Sequence, residues 1–439
     1  MKKIKILVTA LVLSAFILPL SNISATRTRA AGMGLASIDE GGSNAWAVDG
    51  LQPYIYDNPA ALGGFKNTAF FEASNGLWDN FGGIIINPMG EISVGLFSGI
   101  PAAVEGFADP IGGSGNWVTD ATIAAGAGAL NQPLSASGNT YDDRSFGFLA
   151  HMPMGKMNLG FGLDYTGAGQ VVDDGVTPSK TELSQSETTV RLGFNMEMGG
   201  MIKSIDAGLA YSMLGVENTA TSGSNTVSVK ADSGSIINFH ARANMGLNEK
   251  NLIHILLSYN SEAAKFVYTD PAPNTASNEL DGSTIGIGVS DEIKVSSDAI
   301  VFVGFKLEMV SGTSTRVDVG GTTAASEFSG TVIPFFIGAE GMISENWTGR
   351  FGLSHNIMES YEVKPDTTVA ITQTRSEGSD AELSVGLSYA VGNFTFDWLG
   401  NVDVFRDGPD FVSGISNPWS TSFAATFNFG EGGKKKAAN

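Results

Sequence analysis

The chain has 439 residues and no cysteine. Disulfides, thiolate-held zinc or iron–sulfur centres, thioether haem attachment and an acylated N-terminal cysteine are therefore excluded. Charge is also scarce: Asp, Glu, Lys and Arg make up 16% of the chain, against about 25% in an ordinary soluble domain. Basic residues are the rarer sign, 25 against 45 acidic, for a net charge of −20. That balance argues against a nucleic-acid partner, because phosphate contacts need Lys and Arg. Beyond the N-terminus, 18 consecutive apolar residues occur nowhere, so no helical membrane span is expected. Catalytic signatures are missing too: no Gly-x-Ser-x-Gly elbow, phosphate loop or dinucleotide fingerprint is present. The four histidines, His151, His240, His254 and His355, are scattered without metal-ligand spacing. Ser354, His355 and Asn356 are consecutive, so on a strand neighbours face opposite sides and form no triad. The expectation is no enzyme, no cofactor and no metal.

What the chain has is glycine, 56 residues, and 42% hydrophobic residues, too apolar for disorder. Residues 1–25 read as an export signal. Lys2, Lys3 and Lys5 precede a 15-residue apolar stretch (6–20), and Ser24 and Ala25 supply small residues for cleavage. Cleavage there removes three lysines and no acid, leaving net −23 from 22 basic and 45 acidic residues.

From about residue 67 onward, apolar residues alternate with polar or tiny ones. Leu159, Phe161, Leu163 and Tyr165 interleave with Gly160, Gly162 and Asp164. Val190, Leu192, Phe194 and Met196 interleave with Arg191, Gly193 and Asn195. Val301, Val303, Phe305, Leu307 and Met309 interleave with Phe302, Gly304, Lys306 and Glu308. Period two predicts strands with one apolar face. Short turns fall near residues 88–90, 153–155, 199–200, 248–250, 296–298, 344–346 and 392–393. Polar stretches at 171–186, 217–233, 270–282, 311–328, 363–379 and 406–417 read as long loops between them. Short turns on one side and long loops on the other, joined by strands of about 10–15 residues, describe a transmembrane antiparallel up-and-down β-barrel. Lipid offers backbone groups no partner, so only a closed sheet spans as β structure. Seven turns join fourteen strands; a first strand near 67–75 and a last near 418–429 make sixteen. The expected all-β fold is therefore a barrel of 14–16 strands over 67–429, in the bacterial outer membrane. Phe423, Phe427 and Phe429 close the last strand, and a tail at 430–439 with three lysines follows; the tail reads as a solvated periplasmic end. Trp347, Tyr389, Phe394 and Trp398 lie near the short turns, and Tyr165, Tyr211 and Tyr259 toward the other end, as interfacial girdles require.

Residues 26–66 do not alternate. The sequence Arg-Ala-Ala-Gly-Met-Gly-Leu-Ala at 29–36 and Tyr-Asp-Asn-Pro-Ala-Ala-Leu at 56–62 resembles the start of the long-chain fatty acid transporter (FadL) family and its PorV-like relatives. The resemblance rests on the small-residue stretch after the signal and on Asn58-Pro59-Ala60 before strand one. It implies a fourteen-stranded barrel whose lumen is closed by an N-terminal hatch at 26–66. It also implies uptake of long-chain fatty acids or other hydrophobic molecules, leaving sideways into the membrane through a kinked strand. Independently, Pro59 fixes a helical first position and Asn58 is a cap residue for a short helix.

Inward positions carry both charge signs, together with apolar Leu256, Phe302 and Phe336, which serve either as a lumen lining for a hydrophobic ligand or as packing against the hatch. The stretch 101–142 is long and unusually apolar for a loop; Phe107, Ile111, Trp117 and Val118 are candidates for capturing a hydrophobic ligand. Pro334 lies inside a strand, where it removes a ladder donor and marks a bulge, a lateral opening or a tolerated local irregularity. The expected partners are outer-membrane lipid, lipopolysaccharide and a hydrophobic small molecule, with the chain a monomer. A general aqueous porin and a PorV-like secretion, shuttle or structural role remain the rivals.

Overall fold

A computed structural model describes residues 27–33, 35, 45–48, 54–65, 67–74, 79–98, 140–173, 179–222, 225–269, 275–317, 323–365, 381–400 and 420–429. Export signal, basic tail and the capture residues Phe107, Ile111, Trp117 and Val118 lie outside them. The first strands are β1 (Thr68–Ser74), β2 (Asp79–Met89), β3 (Ile92–Ser98), β4 (Thr140–Met154), β5 (Met157–Asp173), β6 (Ser179–Glu197), β7 (Ile202–Ser222) and β8 (Asn225–Gly246). They continue as β9 (Asn251–Thr269), β10 (Thr275–Ser296), β11 (Ala299–Val317), β12 (Thr323–Met342), β13 (Trp347–Pro365), β14 (Ala381–Val391), β15 (Phe394–Gly400) and β16 (Ser420–Asn428). Each pairs antiparallel with its sequence neighbours, and β1 pairs with β16, so the sheet is closed. The count is sixteen, the upper end of the expected range and two more than the family resemblance implies. The extra pair follows from the short segments 68–74 and 420–428, which pair from Thr68↔Asn428 to Ser74↔Ser422 and complete the ring.

All seven short turns lie at the expected places. The left-handed backbone they need falls to glycine at Gly155 (φ 68°) and Gly392 (φ 57°), where a side chain would be strained.

The long polar stretches behave differently from expectation. Strand β7 runs to Ser222 and β8 starts at Asn225; β9 runs to Thr269 and β10 starts at Thr275. Strands thus reach 22 residues, and most of 217–233 and 311–328 is sheet. The reason is the solvent. Tyr165, Tyr211 and Tyr259 lie about nine residues past their short turns, near the length at which a tilted strand has crossed the hydrocarbon. Beyond them the outer face meets water, so apolar alternation ceases while backbone pairing continues. Polar cross-strand partners take over: Thr221 and Thr226 hydroxyls lie at 3.2 Å, and Lys230 reaches Glu217 at 2.5 Å. Both ends of that ion pair are exposed, so it adds little stability.

On the outer face, Phe161 of β5, Leu192 of β6, Leu257 of β9, Ile287 of β10 and Phe305 of β11 are 44–51% exposed. They belong to a band of apolar side chains that follows the strands around the barrel. Water would not tolerate so continuous a patch; lipid requires it. Near the short-turn rim, aromatic rings meet on this face: Trp347 lies tilted against Tyr389 at 4.8 Å and Phe394 stacks on Phe427 at 4.6 Å. No helix among the described residues is long and apolar enough to cross a membrane. Pro334 does mark a bulge: pairing between β12 and β13 jumps from Ile333↔Met358 to Pro334↔Asn356, leaving Ile357 unmatched.

Candidate functional site

The inward face is where the N-terminal residues sit. Four short helical pieces are described: α1 (Arg27–Gly32), η1 (Ala45–Ala47), α2 (Tyr54–Asp57) and η2 (Pro59–Gly64). Each is too short to be stable alone, so the barrel wall must hold it.

Piece α1 is held by charge. Arg29 donates to both oxygens of Glu340 on β12, at 2.8 and 2.7 Å. Glu340 also accepts from Arg350 of β13 at 2.6 Å, and Arg350 continues to Asp397 of β15 at 2.9 Å. Ser388 donates to Asp397 as well. The chain of ions is buried, with the Asp397 side chain 0% and the Arg350 side chain 4% exposed. Thr28 and Ser422 share a hydrogen bond of 2.6 Å.

Piece η1 is held by an apolar cluster. Trp46 packs with Ala30, Met33, Leu35 and Val48 against Leu256, Phe302 and Phe336. The Trp46 ring meets Phe336 edge-on at 5.9 Å. Gly288 gives it room: a Cβ there would lie 2.6 Å from the indole. The three lining residues named from sequence thus come together, and their partner is the chain's own tryptophan. Two wall donors fix the backbone, Arg242 to the Trp46 carbonyl at 3.0 Å and Ser290 to the Ala47 carbonyl at 2.9 Å.

Pieces α2 and η2 use a third device. Tyr54 donates to Asp206, and the Arg242 guanidinium lies 4.3 Å from the Tyr54 ring centre while its Nε reaches Asp206 at 3.1 Å. Burial pushes the Tyr54 phenol well above its usual range, so it stays protonated and keeps donating. Burial also raises the Asp57 carboxyl, against the pull of His240, Arg191 and Lys306. Asn58 caps η2, its Oδ1 accepting from Ala60 N at 3.0 Å, and its Nδ2 donates to the Phe194 carbonyl at 3.1 Å. Pro59 occupies the first helical position. Gly160, Gly193 and Gly208 form one cross-strand row on β5, β6 and β7. Pro59 and Ala60 lie on the first two glycines and the Asp57 carbonyl on the third; a Cβ at Gly193 would sit 2.6 Å from Ala60 N. Behind them Ile55 and Leu62 join Phe70, Phe81, Ile85, Phe97 and Leu149.

The motif Asn58-Pro59-Ala60 is therefore a docked segment of inward-facing chain. Arg29, Trp46, Tyr54 and the glycine row were not singled out from sequence. The glycines carry a signal, since they recur at inward positions of successive strands, but it is readable only once the register is known. His240 and His254, both inward, have separate partners: His254 bonds Asn244 at 2.7 Å and His240 packs on Tyr54. No group of three or more metal-ligating side chains occurs among the described residues.

Gly193→Val is expected to lift η2 from the wall and destabilise the barrel by about 1–3 kcal/mol, as overpacking does. Gly199→Ala, where a Cβ meets nothing within 4 Å, is the control. Thermal unfolding followed by heat-modifiable gel migration distinguishes them.

A closed sheet, an apolar outer band and a lumen occupied by the chain's own N-terminal pieces define a transmembrane β-barrel of outer-membrane type. Among solved structures, the chain is similar to the toluene transporter TbuX of Ralstonia pickettii, at 12% identity over 88% of this chain and 95% of that one, TM-score 0.39. It is also similar to a FadL homologue of Pseudomonas aeruginosa (11% identity, 93% and 99% covered, TM-score 0.45) and to the monoaromatic hydrocarbon channel CymD (13%, 91% and 98%, TM-score 0.40). No family model and no curated protein matches the chain.

Proposed function

We propose that the protein is an outer-membrane conduit for passive passage of hydrophobic small molecules, with the N-terminal segment as its plug. The observation that carries this reading is the Trp46 cluster: apolar N-terminal residues pack on the inner wall against Leu256, Phe302 and Phe336, as a block of the lumen would. An aqueous pore has no use for such a block, whereas a hydrophobic ligand exchanges one apolar neighbour for another at little cost. In this reading one chain suffices, and its outer face meets lipid and lipopolysaccharide. Cells producing the protein should accumulate a radiolabelled alkane several-fold faster than cells lacking it, with unchanged uptake of a hydrophilic sugar. Equal alkane uptake in both strains rejects the proposal.

A further inference from the structure

Beyond the plug, the inward face of β9 carries a group that the plug does not use. Glu262 lies six residues past Leu256 on the same face, about 20 Å along the strand at roughly 3.4 Å per residue. Its cross-strand partners are Ile236 of β8 and Gly282 of β10. The next inward positions are apolar and buried: Ile236 3%, Ala264 2%, Leu280 3% and Phe328 6% exposed. Phe328 reaches over Gly312 and Gly282 toward Glu262; a Cβ at Gly282 would lie 3.3 Å from its ring. None of these residues belongs to the clusters that hold the described N-terminal pieces.

The charges of the inner face are unevenly matched. Arg29, Arg191, Arg242, Arg350 and Lys306 each pair with a carboxylate. Lys306, on β11, is held by Glu308 at 2.6 Å. Glu262 has no cation among the described residues. Its hydrogen bond comes from Asn260 Nδ2, at 3.0 Å to Oε1, and Asn260 Oδ1 is buried without a partner. A carboxylate and an amide oxygen therefore stand together in an apolar wall, and both accept. A buried acceptor left unmade is costly, so the wall is complementary to a molecule that brings a donor.

We infer that Glu262 and Asn260 form a head-group site in the upper lumen for amphipathic molecules with a hydrogen-bond donor, a hydroxyl or an amine on an apolar body. This rests on the conduit reading and narrows it. The site works against fatty carboxylates: an anionic head would meet the carboxyl group of Glu262 and the unpartnered Asn260 oxygen.

The test is equilibrium binding of radiolabelled decane, 1-decanol, decylamine and decanoate to the full mature chain in lipid nanodiscs, corrected with protein-free discs. The alcohol and the amine are expected to bind about tenfold tighter than decanoate, the size of one charge-assisted hydrogen bond. Glu262→Leu should bring the three head groups to within about twofold and leave decane unchanged, since it removes the acceptor alone. Glu262→Lys should turn the preference toward decanoate. Heat-modifiable migration confirms that each variant is folded, and Asn260→Ala replaces any that is not, with the same levelling expected. Decanoate binding the native chain as tightly as decanol, or a preference that survives in the variants, overturns the inference while decane binding keeps the conduit reading standing. Binding of none of the four, decane included, overturns both.

Discussion

A chain lacking residues 26–66 after its export signal is expected to conduct ions in a planar bilayer roughly tenfold or more above the intact protein, because barrels of 16–18 strands leave an aqueous channel when nothing fills them. The wall does not need the plug for closure: β1 pairs directly with β16. What deletion exposes is polar. Asp206, Arg242, Glu340, Arg350 and Asp397 face the space vacated by Arg29, Trp46 and Tyr54, and water replaces the lost partners. Asn58, Pro59 and Ala60 leave bare the glycine row of β5–β7, the narrowest side groups available to a pore lining. Conductance indistinguishable from the intact chain, in a barrel shown to be folded, would mean that the lumen is closed by something else.

Arg350→Met should destabilise the barrel by about 3–5 kcal/mol, the usual result of removing one partner from a buried ion pair. Arg350 bridges Glu340 and Asp397 at 2.6 and 2.9 Å and is almost wholly buried. Its loss leaves Glu340 with Arg29 and strips Asp397 of a buried cation. Combining Arg350→Met with Asp397→Leu should recover much of the stability, since replacing a buried pair by apolar groups is often close to neutral. Denaturant unfolding of the two variants measures both effects. A loss under about 1 kcal/mol for the single variant would place this network among weak surface pairs.

Much of the barrel was legible in the sequence because lipid imposes a strict rule on it. Alternation at Leu159–Tyr165 or Val301–Met309 follows from one face meeting hydrocarbon and the other the lumen, and the turns at 153–155 or 392–393 carry the glycines that tight reversal requires. Past the tyrosines that rule lapses. Stretches such as 217–233 are polar on both faces, so they read as loops although their backbone is paired. The N-terminal segment was legible as a stretch that does not alternate, and Asn58 as a cap, because both signals are local. How its described pieces are held was not. Arg29 meets Glu340 across 311 positions, and Trp46 meets Phe336 across nearly as many. Such pairs depend on the register of distant strands, which no local pattern encodes. The unpartnered Asn260 oxygen beside Glu262 is of the same kind: it stands out only once the cross-strand neighbours are known.

The positions along the chain of the first and last of the three holdings of the N-terminal segment also suggest an order of assembly. The glycine row and its neighbours belong to β4–β7, which follow the plug closely in sequence, whereas Glu340, Arg350, Asp397 and Ser422 belong to β12–β16. Contacts between distant segments form late because they require long stretches of chain to be brought together first. Asn58-Pro59-Ala60 therefore has a complete binding surface while the sheet is still an open ribbon, and Arg29 has none until the final strands arrive. In that order, joining Thr68 to Asn428 would close the sheet around N-terminal pieces already half docked, with no need to thread a segment into a finished barrel.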